Sequence, residues 1–69
     1  MSDTELLNAI EKYGVSLWPD RESRTNIDSP ISEWNTFARS NPYPVQVTRA
    51  KLREALSVTV EKLRKNEAG

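Results

Sequence analysis

Residues 30–39, PISEWNTFAR, decide between two folds. Ser29-Pro30 suits a helix start with proline at the first helical position, and Ile31, Trp34 and Phe37 or Ala38 recur near helical spacing. Read that way, the chain is an all-α arrangement of three helices. Against it, residues 34–39 hold Asn35, Thr36 and two aromatics, which are poor helix formers that suit a pleated, half-buried surface. The balance favours a strand over 33–39. The expected fold is then α+β: an N-terminal helix, a short antiparallel β-hairpin or small sheet, and a C-terminal amphipathic helix.

Working outward, the partner for that strand lies upstream at 15–18, where Val15 and Leu17 alternate with Ser16 and Trp18 follows. Pro19 cannot donate to a ladder, so this strand ends there or lies at an edge. Residues 21–29, RESRTNIDS, hold Ile27 as their one apolar side chain and read as an exposed loop. Downstream, residues 40–44 (SNPYP) form a turn-rich break, because each proline pushes the residue before it toward extended conformations. Val45-Gln46-Val47 alternates, and reads either as a third short strand or as a lead into the last helix.

Two helices flank this centre. Over 2–14, Ser2 and Glu5 fit a capping box, Leu6, Ile10 and Tyr13 make one apolar face, and Lys12 suits the negative end of the helix dipole. Gly14 fits a left-handed C-terminal cap. Over 48–65, TRAKLREALSVTVEKLRK, Thr48 is the expected N-cap. Leu52, Leu56, Thr59, Val60 and Leu63 gather on one side of the wheel. Arg53 and Arg64 flank one edge of that stripe, Lys51 and Lys62 the other, and Glu54 and Glu61 occupy the opposite face. Glu61 and Lys65 are spaced for an i, i+4 pair worth about 0.3 kcal/mol. Val58 falls among the polar residues. Residues 1–69 make one small domain, with 1–2 and 66–69 expected to fray.

Composition removes whole classes of chemistry. The chain has no cysteine and no histidine, which closes disulfides, the usual zinc sites, and thiol or imidazole catalysis together. Its glycines are Gly14 and Gly69 alone, so no glycine-rich loop can cradle a phosphate. Asp20-x-Glu22-x-Arg24 fails as a calcium loop: Arg24 takes a ligand position, no glycine supplies the turn, and Ile31 stands where a bidentate Glu is needed. No catalytic residue, cofactor or metal is therefore expected, and the chain is expected not to be an enzyme. The acidic opening MSDTELL lacks a signal pattern, and no apolar run approaches membrane-spanning length. A soluble cytoplasmic protein, of a bacterium or a phage-infected host cell, is expected.

Ten basic residues balance ten acidic ones, but unevenly. Residues 1–33 carry seven acids against three bases, and residues 49–69 carry six bases against three acids. The segments LLNAIEKYG, GVSLW, EWNTFAR and TRAKLREAL together resemble small uncharacterised proteins encoded in bacteriophage and prophage genomes, along most of the chain. That resemblance implies a helix–hairpin–helix α+β arrangement and an accessory role, and it transfers no functional residues.

The expected function is binding to a larger protein, so as to modulate or inhibit a host protein. Charge separation of this kind steers encounter more than it adds affinity. The expected contact surface is Arg53, Arg64, Lys51, Val58 and Lys62 on the last helix, with the loop residues Arg21 and Arg24 as a second choice. The alternative is nucleic-acid binding through the basic helix and through Trp18, Trp34, Phe37 and Tyr43 interleaved with arginines. Zero net charge and two carboxylates on the exposed face of the helix weigh against it. A homodimer is a further alternative if Trp34 or part of the apolar stripe stays exposed.

Overall fold

The computed structural model describes residues 1–23 and 25–68. Its elements run α1 (Asp3–Tyr13), β1 (Ser16–Arg21), β2 (Ile31–Ala38), β3 (Val45–Arg49) and α2 (Leu52–Ala68). The strands form one antiparallel sheet in the order β1-β2-β3. The fold is α+β, with a helix at each end of the chain, and the strand reading of 30–39 is the one the structure adopts.

The start of the chain folds as its punctuation dictates. The Ser2 side chain accepts a hydrogen bond from the Glu5 N–H at 3.2 Å. Gly14 takes the left-handed conformation (φ 66°, ψ 45°) and donates to the Ile10 carbonyl at 2.9 Å. A side chain there would strain the backbone, so glycine ends α1 and turns the chain into β1.

The sheet is larger than its sequence suggests. β1 continues through Pro19 to Arg21, with Pro19 opposite Trp34. An edge strand tolerates a proline, because only one of its sides has to donate to a ladder. Residues 45–47 do make a third strand, and it runs on to Arg49. Thr48 is therefore not the cap of α2. It sits opposite Asn35 in the ladder and its hydroxyl donates to Asn35 Oδ1 at 2.7 Å. Helix α2 starts at Leu52, and the Ala55 N–H to Lys51 carbonyl bond (3.0 Å) opens it. At the other end α2 passes Lys65 and reaches Ala68. Asn66 anchors it there by donating to Ser40 Oγ at 3.1 Å and to the Tyr43 carbonyl at 3.4 Å.

Strand alternation gives the sheet two unlike faces. Thr36, Ala38, Val45 and Val47 are buried beneath α2, together with Ala55, Leu56, Thr59, Val60 and Leu63 of the helix. Leu6 and Ala9 of α1 and Val15 complete the core, and Ile10, Tyr13, Trp34, Leu52 and Val58 pack against it. Trp34 and most of the α2 stripe are thus engaged inside the protomer. The opposite face carries Trp18, Asn35, Phe37, Gln46 and Thr48, and Trp18 is 43% exposed.

One polar contact crosses the core. Thr36 and Thr59 are both fully buried, and their hydroxyls are hydrogen-bonded to each other. Thr59 also reaches the Ala55 carbonyl at 2.7 Å, whereas Thr36 has only the Val47 carbonyl, at 3.5 Å, as a further partner. The consistent order is Thr36 donating to Thr59, and Thr59 donating to Ala55. Thr59→Val then leaves the Thr36 donor only the long 3.5 Å contact to the Val47 carbonyl and is expected to cost about 1–3 kcal/mol in urea unfolding. Thr36→Val leaves Thr59 satisfied and is expected to cost about 1 kcal/mol or less. A larger loss for Thr36→Val would show that the donor order runs the other way.

Candidate partner-binding surface

Helix α2 divides its bases between two flanks, and the neighbours of each flank differ. One flank faces α1. There Arg53 forms an ion pair with Asp3, and Arg64 lines a shallow groove with Asn8, Lys12 and Tyr13. At the end of that flank Glu67 accepts hydrogen bonds from the Tyr13 hydroxyl and, at 3.4 Å, from Lys12 Nζ. Lys12 Nζ also stands 5.1 Å from the centre of the Tyr13 ring. The Tyr13 hydrogen bond, and next the Lys12 contact, hold the Glu67 carboxyl below the usual glutamate range. The hydrogen bond to Glu67 in turn raises Lys12.

The other flank faces the edge of β3. Helical spacing places Val58, Lys62 and Lys65 along it, and Lys51 immediately precedes the helix, two residues after Arg49. Lys62 and Lys65 line a hollow with Tyr43, Val45 and Gln46, which sets the C-terminal half of α2 beside the start of β3. Arg49 Nε lies 3.8 Å from Glu54 Oε1, which sets the first turn of α2 beside the end of β3. Among the described residues the ion pairs are Lys12–Glu67, Arg49–Glu54 and Arg53–Asp3. Lys51, Lys62 and Lys65 have none, and the expected Glu61–Lys65 pair is not formed.

Val58 is half-buried and packs against the core, rather than standing isolated among charges. The third strand explains the difference. It widens the floor beneath α2, so that the buried stripe extends to the β3 flank and takes in Ala55 and the inner side of Val58.

The expected surface therefore separates into parts. Arg53 and Arg64 lie on the α1 flank, and Lys51, Val58 and Lys62 lie together on the β3 flank. Arg21 belongs to neither. It is the half-buried last residue of β1, opposite Ile31, and it donates to the Ser29 carbonyl at 2.8 Å. The loop beyond it is stapled by Ser29, whose hydroxyl accepts from the Ser23 N–H and donates to the Ser23 carbonyl. Arg24 lies outside the described residues.

The strand edge itself completes the surface. β3 pairs with β2 on one side, and among the described residues no backbone hydrogen bond reaches its other side. The sheet's second edge, β1, is blunted by Pro19 and by a register shift between Asp20 and Arg21. β3 has neither device. These backbone groups escape residue-by-residue reading, because an edge is a property of sheet order. The alternation of Val45 and Val47 about Gln46 is the only local signal for them.

Among the described residues no group of three potential metal ligands comes together, and no helix is long and apolar enough to cross a membrane. No family model, no curated protein and no solved structure matches the chain.

The Glu67 clamp has a signed pH dependence. A carboxyl lowered by folding contributes stability above its ordinary value, about 4.3, and loses it as pH falls through the folded value. The raised Lys12 contributes below about 10.4 and loses its share as pH rises through its folded value. Wild type is therefore expected to melt above Glu67→Gln at pH 7, and the two melting curves should converge on acidification below about pH 4. Circular dichroism melts at several pH values check this, and a gap that persists unchanged in acid contradicts it.

Proposed function

We propose that this chain is a small phage-type accessory protein that acts in the cytoplasm by binding a larger protein and modulating or inhibiting it. It docks through the β3 edge and the overhanging flank of α2. The observation that carries this reading is the pairing of an unblunted strand edge with Lys51, Lys62 and Lys65, cations that have no ion-pair partner among the described residues. Desolvating an ion pair to make an interface is costly, whereas cations without partners are available to steer and orient an incoming surface.

Nucleic-acid binding has less support. The basic residues of α2 are spread over two flanks with Glu54 and Glu61 between them, and Arg49 and Arg53 already face carboxylates. A phosphate backbone would meet a broken row of charge.

The test is affinity purification of the tagged protein from its native cell, with and without nuclease. The expected result is one stoichiometric protein that survives nuclease treatment, is lost from Lys51→Glu/Lys62→Glu, and is kept by Arg21→Glu. Nucleic acid alone, with no stoichiometric protein, overturns the reading.

A further inference from the structure

Granting that the chain binds a protein through its β3 side, we infer that the occupant is an extended acidic segment, added as a fourth strand to the sheet. Three observations converge on this mode. The first is the backbone. β3 offers five residues, about 17 Å of strand, whose outward N–H and C=O groups have no backbone partner among the described residues. Such a row is satisfied by another extended chain, as in the strand-addition mode of peptide recognition.

The second observation is the match between strand and helix. α2 runs back along β3, with Lys62 near Val45 and the Lys51 end near Arg49. Eleven residue steps take the chain from Lys51, just before α2, to Lys62, about 16 Å at the helical rise, which is close to the length of β3. An added strand would turn every second side chain toward this flank. Val58 and Lys62 lie about 6 Å apart along the helix, close to the spacing of strand residues i and i+2. Lys62 and Val58 thus read one carboxylate and one aliphatic group two residues apart, and Lys51, about 10 Å beyond Val58 at the helical rise, offers a cation to a second carboxylate further along the segment.

The third observation excludes the simplest competitor. A second copy pairing β3 to β3 antiparallel would set Lys62 and Lys65 of one protomer toward the Lys51 end of the other. Like charges at close range across a new ladder are destabilising. Pairing β3 to the β1 edge of a second copy meets Pro19 and the register shift. A heterologous acidic segment avoids both obstacles.

The probe is a synthetic eight-residue peptide alternating threonine with glutamate and valine, titrated into the full-length protein. Binding is followed by amide hydrogen exchange and by the mass of the complex. The expected result is slowed exchange at amides of β3 and none at β1, with binding that weakens as salt is raised. Lys51→Glu/Lys62→Glu should weaken it roughly tenfold or more. The same peptide N-methylated at alternate residues should not bind, and a lysine-for-glutamate version should bind far more weakly. The inference is overturned by no binding at about 1 mM acidic peptide, by binding that leaves β3 exchange unchanged, or by equal binding of the lysine version. Slow β3 exchange with a doubled mass in the protein alone assigns the edge to a second copy and overturns it too. The broader reading fails separately. A cellular partner that is still captured by Lys51→Glu/Lys62→Glu leaves protein binding intact and removes this site, whereas no captured protein removes both.

Discussion

One hydroxyl-to-hydroxyl contact, Thr36 to Thr59, fixes where α2 lies on the sheet. The rest of that interface is Ala, Val and Leu, whose burial is favourable but non-directional. An aliphatic stripe on an aliphatic sheet tolerates small slides and rotations, because area is conserved. A buried hydroxyl pair does not, since displacement breaks a directional bond in a low-dielectric core and leaves Thr36 only its 3.5 Å contact to the Val47 carbonyl. Thr36 lies in the middle strand, opposite Leu17 on one side and Val47 on the other. The helix is thereby referenced to the whole sheet. Its rotation follows, and with it the placing of Lys51, Val58 and Lys62 above the β3 edge.

Helix α1 makes the two flanks of α2 unequal. It lies parallel to α2, with Asp3 at the Arg53 end and with Tyr13 and Lys12 at the Glu67 end. These contacts are exposed, so their role is alignment more than stability. They pair Arg53 on one side of α2, whereas Lys51, Lys62 and Lys65 on the other side, like Arg64, have no ion pair among the described residues. The sheet repeats this inequality. The blunted edge β1 carries Pro19 and an irregular register, whereas β3 is regular from Val45 to Arg49. Protection of one edge and regularity of the other, on the flank where the lysines are unpaired, mark a single side of the molecule.

Features governed by local chemistry were legible in the sequence. Ser2 and Gly14 bound α1 where their side-chain chemistry requires, and the aromatic and β-branched content of 33–39 decided for a strand over a helix. What was not legible depended on neighbours distant in sequence. Thr48 has the side chain of a helix cap, but Asn35 across the ladder offers its hydroxyl a partner at 2.7 Å, and strand pairing carries the chain past it to Arg49. Val58 is off the stripe on an isolated wheel and joins the core only once β3 lies beneath it. The candidate surface shows the same division. Lys51 and Lys62 were identifiable as one edge of a helix, but the unpaired backbone beside them depends on the order of strands in the sheet, which no local pattern encodes.

A free edge in so small a fold has an energetic consequence as well as a functional one. A domain near this size buries only about 60% of the surface its unfolded chain exposes, so each unpaired ladder group weighs more than in a larger core. A fourth strand would satisfy the outward groups of β3 and cover the exposed side of Val58 at the same time. Because the unfolded chain presents no such edge, a bound strand stabilises the folded state alone, by an amount that grows with the ratio of its concentration to its dissociation constant. Recognition and folding are then coupled at one place. On that proposal, the strand that leaves the sheet incomplete lies beneath the lysines that would select what completes it.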